Sequence, residues 1–268
     1  MLSTGIRAMT SAPVLLYHAV GVPRCTPNSE ERDLFVEPRA FGQQMAQLAA
    51  RGYRSLTLDE YAAAVAAGAF RPRSLLLTFD DAYAHVADVV TPVLRRHGFT
   101  AVMFVPWQHL GGRNSWDLDH PNLAALEIAT PELLKEMIAG PWELASHGMD
   151  HVDLTQLEAE ERRAQLTAAR EGLSDLVGRP VRDLAYPYGV SNRSTRDDAL
   201  LTGYRMAFTA ETFETRDPLQ QPRRPIKGGD SLLTFWLKTS SSCAWLYHRA
   251  PSAARDLARL TLEAASHV

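Results

Sequence analysis

Two adjacent carboxylates, Asp80 and Asp81, end the apolar run Ser74-Leu75-Leu76-Leu77-Thr78-Phe79. A short apolar run bounded by polar residues reads as a buried strand, and side chains at its end are held rigidly beside solvent. Neighbouring residues of an extended strand point to opposite faces, so both acids reach one site only if the chain turns directly after them. Ala82-Tyr83 and the helical pattern beyond supply such a turn. The same acids could instead mark a helix N-terminus, where the dipole favours carboxylates. A second doublet, Asp197-Asp198, reads as a solvated helix start.

His147 and His151 are four residues apart, so on a helical turn or in a tight loop both imidazoles can face one ion. With nine histidines in the chain, such a pair also arises by chance. One carboxylate of the doublet would complete a three-ligand site with an open position, the arrangement of a hydrolytic rather than a structural metal. The other carboxylate is then free to act as a base. Two histidines and one carboxylate suit a divalent ion, zinc first, with cobalt or nickel as alternatives.

The elements that must position these groups alternate along the chain. Strands are expected at Pro13–Tyr17, ending in His18, at 74–79, at Thr100–Val105, at Trp142–Ala145, at Asp183–Tyr186 ahead of Tyr188, and at Tyr204–Thr209. Between them, Phe41, Met45 and Leu48 fall at helical spacing, and Thr57-Leu58-Asp59-Glu60 forms a capping box ahead of a helix through Ala67. Val86, Val90 and Leu94 mark a helix stopped by Gly98, and Thr130-Pro131-Glu132 starts another. Thr155-Gln156-Leu157-Glu158 opens a long helix to Val177, a further helix ends before Gly203, and the last two start near Ser231 and Pro251. Pro106 to Ala129 is a long loop carrying Trp107 and Trp116.

Strands alternating with helices argue an α/β fold with a parallel sheet or barrel. In such folds working residues gather at the carboxyl ends of the strands, and His18, Asp80, Asp81, His147, His151 and Tyr188 all follow predicted strands. With no linker or repeat, one domain spanning residues 13–268 is expected after an N-terminal tail of residues 1–12.

The chain has 268 residues, 46% hydrophobic and 22% charged, with a net charge of −3. That supports one sizeable core and gives no electrostatic footprint for nucleic acid. Two cysteines, Cys25 and Cys243, do not make a disulfide framework. No apolar stretch reaches the roughly 20 residues of a membrane span. Residues 1–12 lack an apolar signal core, so a cytoplasmic location is expected.

Thr78-Phe79-Asp80-Asp81, His147-Gly148-Met149-Asp150-His151 with Asp153-Leu154, and Ala185-Tyr186-Pro187-Tyr188-Gly189 resemble, in order and spacing, the motifs of the polysaccharide deacetylases, carbohydrate esterase family 4. The likeness runs from Pro13 to about Ile226. Leu15-Leu16-Tyr17-His18 at the N-terminus is similar to the histidine motif of the circularly permuted branch that deacetylates poly-N-acetylglucosamine. The late candidate for that motif is Leu246-Tyr247-His248.

The resemblance implies a deformed (β/α) barrel, with a divalent metal held by Asp81, His147 and His151. It further implies Asp80 as general base, His18 as general acid and the backbone N–H of Tyr188 at the oxyanion. Two departures stand out. Gly148 replaces the usual Ser or Thr, which would remove a hydrogen bond behind the metal ligand. Ala185 replaces the arginine that normally partners the base, and Arg224 is the candidate substitute. Trp116 could stack on a sugar face or only pin its loop.

The implied reaction is metal-dependent removal of an N-acetyl group from an amino sugar or related amide, releasing acetate and a free amine. A cytoplasmic amidase or deformylase acting on a small amide or imide is the alternative, favoured by the missing leader. A non-catalytic carbohydrate-binding protein is a third reading.

Overall fold

A computed structural model describes residues 11–22, 33–117, 126–210, 215 and 217–240. The strands are β1 (Val14–Tyr17), β2 (Ala19–Val20), β3 (Phe35–Val36), β4 (Arg54–Ser55), β5 (Ser74–Phe79), β6 (Ala101–Val105), β7 (Trp142–Ser146), β8 (Asp183–Ala185), β9 (Met206–Thr209), β10 (Gln221–Pro222) and β11 (Arg224–Pro225). Nine of them form one sheet in the order β10-β9-β8-β7-β6-β5-β1-β11, with β4 added beside β5. Each pairing in the sheet is parallel. The uninterrupted apolar runs follow from this, because a parallel sheet is covered on both faces.

Alternation along the strands separates two cores. Leu75, Leu77, Phe79 and Met103 pack with Phe41, Val86, Val90 and Leu134, residues of the surrounding helices. Leu76, Val102, Phe104, Ala145, Ala185 and Phe208 form the inner cluster. Helix Leu58–Ala67 contributes Leu58 and Tyr61 to that cluster, and its capping box forms as the sequence predicts.

The two ends of the sheet path are consecutive in the chain: β10 pairs with β9, β11 pairs with β1, and Arg223 is the residue between them. The nearly closed, barrel-like sheet therefore has its seam at one arginine, whose side chain is fully buried. This is the deformed (β/α) barrel expected.

Two local expectations are corrected. The long helix spans Ala159–Val177 with Glu158 as its N-cap, and Leu154–Gln156 is a separate 3-10 turn. The Asp153 carboxylate accepts hydrogen bonds from the Thr155 N–H and hydroxyl, which satisfies that turn and keeps the helix from starting there. Asp198 is not a solvated helix start: it lies late in helix Arg193–Leu201, buried, and receives Arg162 Nε at 2.7 Å and Nη2 at 2.6 Å. Asp197 is the exposed member of that doublet. The helix expected near Pro251, the segment Leu246-Tyr247-His248 and both cysteines lie outside the described residues. Among the described residues no helix is long and apolar enough to cross a membrane.

Candidate active site

β5 delivers both acids to the carboxyl end of the barrel. The Asp80 N–H donates to Tyr17 O at 3.0 Å, which extends the β1–β5 ladder to the doublet. Directly beyond, Asp81 and Ala82 take the left-handed conformation, with φ of 71° and 53°. That region is costly for residues with a Cβ, and here the Ala82 carbonyl fixes it by accepting from Ala129 N at 2.8 Å. The turn overrides strand alternation, so Asp80 and Asp81, 3% and 5% exposed, face one site.

Asp81 Oδ1 lies 3.4 Å from His147 Nε2 and 3.2 Å from His151 Nε2. It is buried, and no hydrogen bond from the described residues satisfies it. Ligand atoms about 2.0–2.1 Å from a tetrahedral ion stand roughly 3.3 Å apart, a value these two separations match, and the three donor atoms all lie within 4.8 Å of one another. His147 Nδ1 sits 2.8 Å from the Ala185 carbonyl, which places the ring proton on Nδ1 and leaves Nε2 for the site. Ala185, where the family arginine is missing, thus orients His147 through its backbone.

The loop between the histidines is built locally. Gly148 has φ of 80° and packs against Pro187, a conformation that excludes the usual Ser or Thr without strain. Its N–H donates to Ser146 Oγ at 3.2 Å, so a serine two residues earlier places a hydroxyl beside the loop. Asp150 and Gln165 exchange two hydrogen bonds, at 3.2 and 2.6 Å, tying the loop to the long helix. Arg162, paired to Asp198, also donates to the carbonyls of Leu154 and Leu157 just beyond it.

Asp80 is gripped by Arg223, whose Nη1 and Nη2 reach its two oxygens at 2.6 and 2.7 Å. Arg223 Nε donates to Thr209 O at 3.1 Å, and the guanidinium lies 5.3 Å from the centre of the Phe104 ring. Burial pushes the Asp80 carboxyl up, but the charge of Arg223, with His147 and His18, outweighs it and holds the pKa below the usual carboxylate value. The expected Arg224 is the wrong neighbour: its Nη1 donates to Lys238 O. Adjacent residues at a strand point to opposite sides, so 223 turns inward and 224 outward. The pattern Gln221-Pro222-Arg223-Arg224-Pro225 signals short edge strands, because proline cannot donate within a sheet, but it does not give the parity.

Burial also raises the Asp81 carboxyl, and the imidazoles of His147 and His151 reverse this, holding it well below its usual value. Burial lowers His147, but Asp80 and Asp81 raise it above the ordinary histidine value. His18 directly follows β1, whose Tyr17 is in register with Phe79 of β5, so it stands beside the doublet at the end of the neighbouring strand.

Tyr188, at φ of 58°, packs edge-on against His151 with centroids 4.9 Å apart and is 55% exposed. Trp116 stacks on His151, with centroids 4.2 Å apart and planes at 26°. Its loop also packs Trp107 against Gly172. Trp107 N and Gln108 N donate to the carbonyls of Gly148 and Met149 at 3.1 and 3.0 Å. The site therefore brings together His18, Asp80, Asp81, His147, His151, Tyr188 and Trp116, adds Arg223 and leaves out Arg224.

Residues 67–207 match the family model described as polysaccharide deacetylase. The Bacillus subtilis (strain 168) protein YxkH is 26% identical over 201 residues, 74% of this chain and 64% of its own length, so the chain spans less than two thirds of that relative. A Staphylococcus aureus (strain MRSA252) protein named poly-beta-1,6-N-acetyl-D-glucosamine N-deacetylase is 25% identical over 218 residues, 75% of this chain and 72% of the relative. The fold matches the Streptococcus pyogenes deacetylase PplD with a TM-score of 0.73 at 23% identity, covering 85% of this chain and 98% of that one. It also matches IcaB from Ammonifex degensii, with a TM-score of 0.71, 23% identity, and coverage of 85% and 97%. The family model spans more than half of the chain, and on that match this chain belongs to the polysaccharide deacetylase family.

Proposed function

We propose that this protein hydrolyses the N-acetyl group of an N-acetylated amino sugar, releasing acetate and leaving a free amine. The observation that carries the reading is the juxtaposition of the buried Asp81-His147-His151 triad with a second carboxylate, Asp80, held by Arg223. Likeness to a relative named for deacetylating a poly-N-acetylglucosamine supports the sugar substrate.

A divalent ion held by Asp81, His147 and His151 would supply a Lewis acid that polarises the amide carbonyl and acidifies water. Zinc suits the donor set. Asp80 then takes a proton from the attacking water, and Arg223 keeps it ionised for that task. The backbone N–H of Tyr188 would donate to the charge that develops on the carbonyl oxygen. His18 gives a proton to the departing amine, which otherwise leaves poorly. The exposed face of Tyr188 offers an apolar surface to a sugar ring.

The test is acetate release by metal-reconstituted protein from N-acetylglucosamine oligomers of increasing length, beside small N-acetyl and N-formyl amides. Turnover that rises with oligomer length supports the reading. Turnover confined to the small amides replaces the sugar with a small-molecule amide.

A further inference from the structure

We propose that Trp116 is a positioning residue for His151, setting the plane of that imidazole, rather than a platform on which a sugar stacks. This rests on the metal-site reading above. Three rings pack around the His151 imidazole, whose Nε2 lies 3.2 Å from Asp81 Oδ1: Trp116 by its face, and His147 and Tyr188 by edge. His151 also sits at φ of 52°, a conformation that its surroundings must hold.

Trp116 is placed to do this. Its 3-10 turn, Ser115–Asp117, follows the fully buried Asn114, which exchanges hydrogen bonds with Leu126 at 3.3 and 3.1 Å. The bridge between Arg113 and Glu127 closes the base of the loop. His109 packs edge-on to the indole at 4.8 Å, with Nδ1 3.4 Å from Ser115 Oγ. One face of the indole is covered by His151 and another side by His109, so the ring is built into the site wall. Groups that orient a metal ligand typically change metal affinity by about 10–100-fold when removed.

The experiment compares wild type, Trp116→Phe and Trp116→Ala. It reads zinc affinity by chelator competition, the visible spectrum of the cobalt form, and KM and kcat at saturating metal. The expected result is a zinc affinity about 10–100-fold weaker for Trp116→Ala, restored to within a few-fold by Trp116→Phe. An altered cobalt spectrum in the alanine variant and little change in KM should accompany it. If the alanine variant does not fold, Trp116→Leu, which keeps apolar bulk without a ring face, carries the same comparison. Unchanged zinc affinity with a raised KM overturns the inference and makes Trp116 a substrate platform. Unchanged affinity with unchanged KM overturns it too. Wild type that binds no divalent metal sinks the metal reading itself, and is recognised because the failure does not depend on position 116.

Discussion

Arg223 and Asp80 lie 143 positions apart and meet as a buried two-pronged ion pair, at 2.6 and 2.7 Å. The arginine comes from the barrel seam and the carboxylate from the end of a central strand. The segment that closes the barrel therefore also supplies the partner of Asp80, an arginine reached from the seam where Ala185 on β8 offers none.

Replacing Arg223 by methionine leaves a buried carboxylate without its partner, which costs about 3–5 kcal/mol at neutral pH. In the wild type the folded pKa of Asp80 is lowered, so the pair's stabilisation is present above the unfolded carboxylate value and is lost as pH falls through the folded value. In Arg223→Met the charge and hydrogen bonds of Arg223 are gone and burial, opposed only by His147 and His18, pushes that pKa up, so the variant's deficit should shrink on acidification. Urea unfolding at several pH values measures both slopes. Arg224→Ala should leave kcat close to wild type, because Arg224 contacts Lys238 O and not the doublet.

Asp80→Asn and His147→Ala should separate chemistry from metal binding. The first should abolish turnover while zinc affinity stays within about tenfold of wild type, because Asp80 is not in the ligand triad. The second should lose both. Calorimetric zinc titration beside an acetate assay reads this, and full activity of Asp80→Asn would remove it as the base.

Zinc should stabilise the fold by mass action, by about 2.7 kcal/mol at a free concentration a hundred times Kd. Thermal melts with zinc and with chelator should show that difference, and Asp81→Ala should remove it.

Gly172→Ala tests how the long loop is docked. A Cβ at Gly172 would run into the indole of Trp107, whose backbone N–H donates to the loop between the histidines. Overpacking of this kind costs about 1–3 kcal/mol. The displacement should also weaken zinc binding, although residue 172 is no ligand. A melt and a zinc titration on the same sample check both effects.

Asp198→Ala leaves Arg162 buried without its charge partner, and the expected loss is about 3–5 kcal/mol. Asp197→Ala on the exposed side should change stability by less than about 0.5 kcal/mol. Paired denaturant curves for the two variants decide whether the doublet is split as described.

The sequence by itself determined the order of strands and helices, because apolar runs and capping signals are local. It also singled out the Asp80-Asp81 doublet and the His147–His151 pair, because a carboxylate doublet at a strand end and a four-residue histidine spacing are local too, while Asp81 as the partner of the two histidines came from the family resemblance. It pointed to a turn directly after the doublet but not to its left-handed conformation at Asp81 and Ala82, which no single residue type announces. Nor could it show that Asp198 is buried while Asp197 is exposed, since that depends on where Arg162 of another helix arrives. The choice of Arg223 over Arg224 was decided only by the tertiary structure: strand parity at the seam is set by how β10 and β11 pair with distant β9 and β1. The place of Trp116 was decided in the same way. A loop tryptophan has no partner in sequence, and only the folded chain brings its face onto His151.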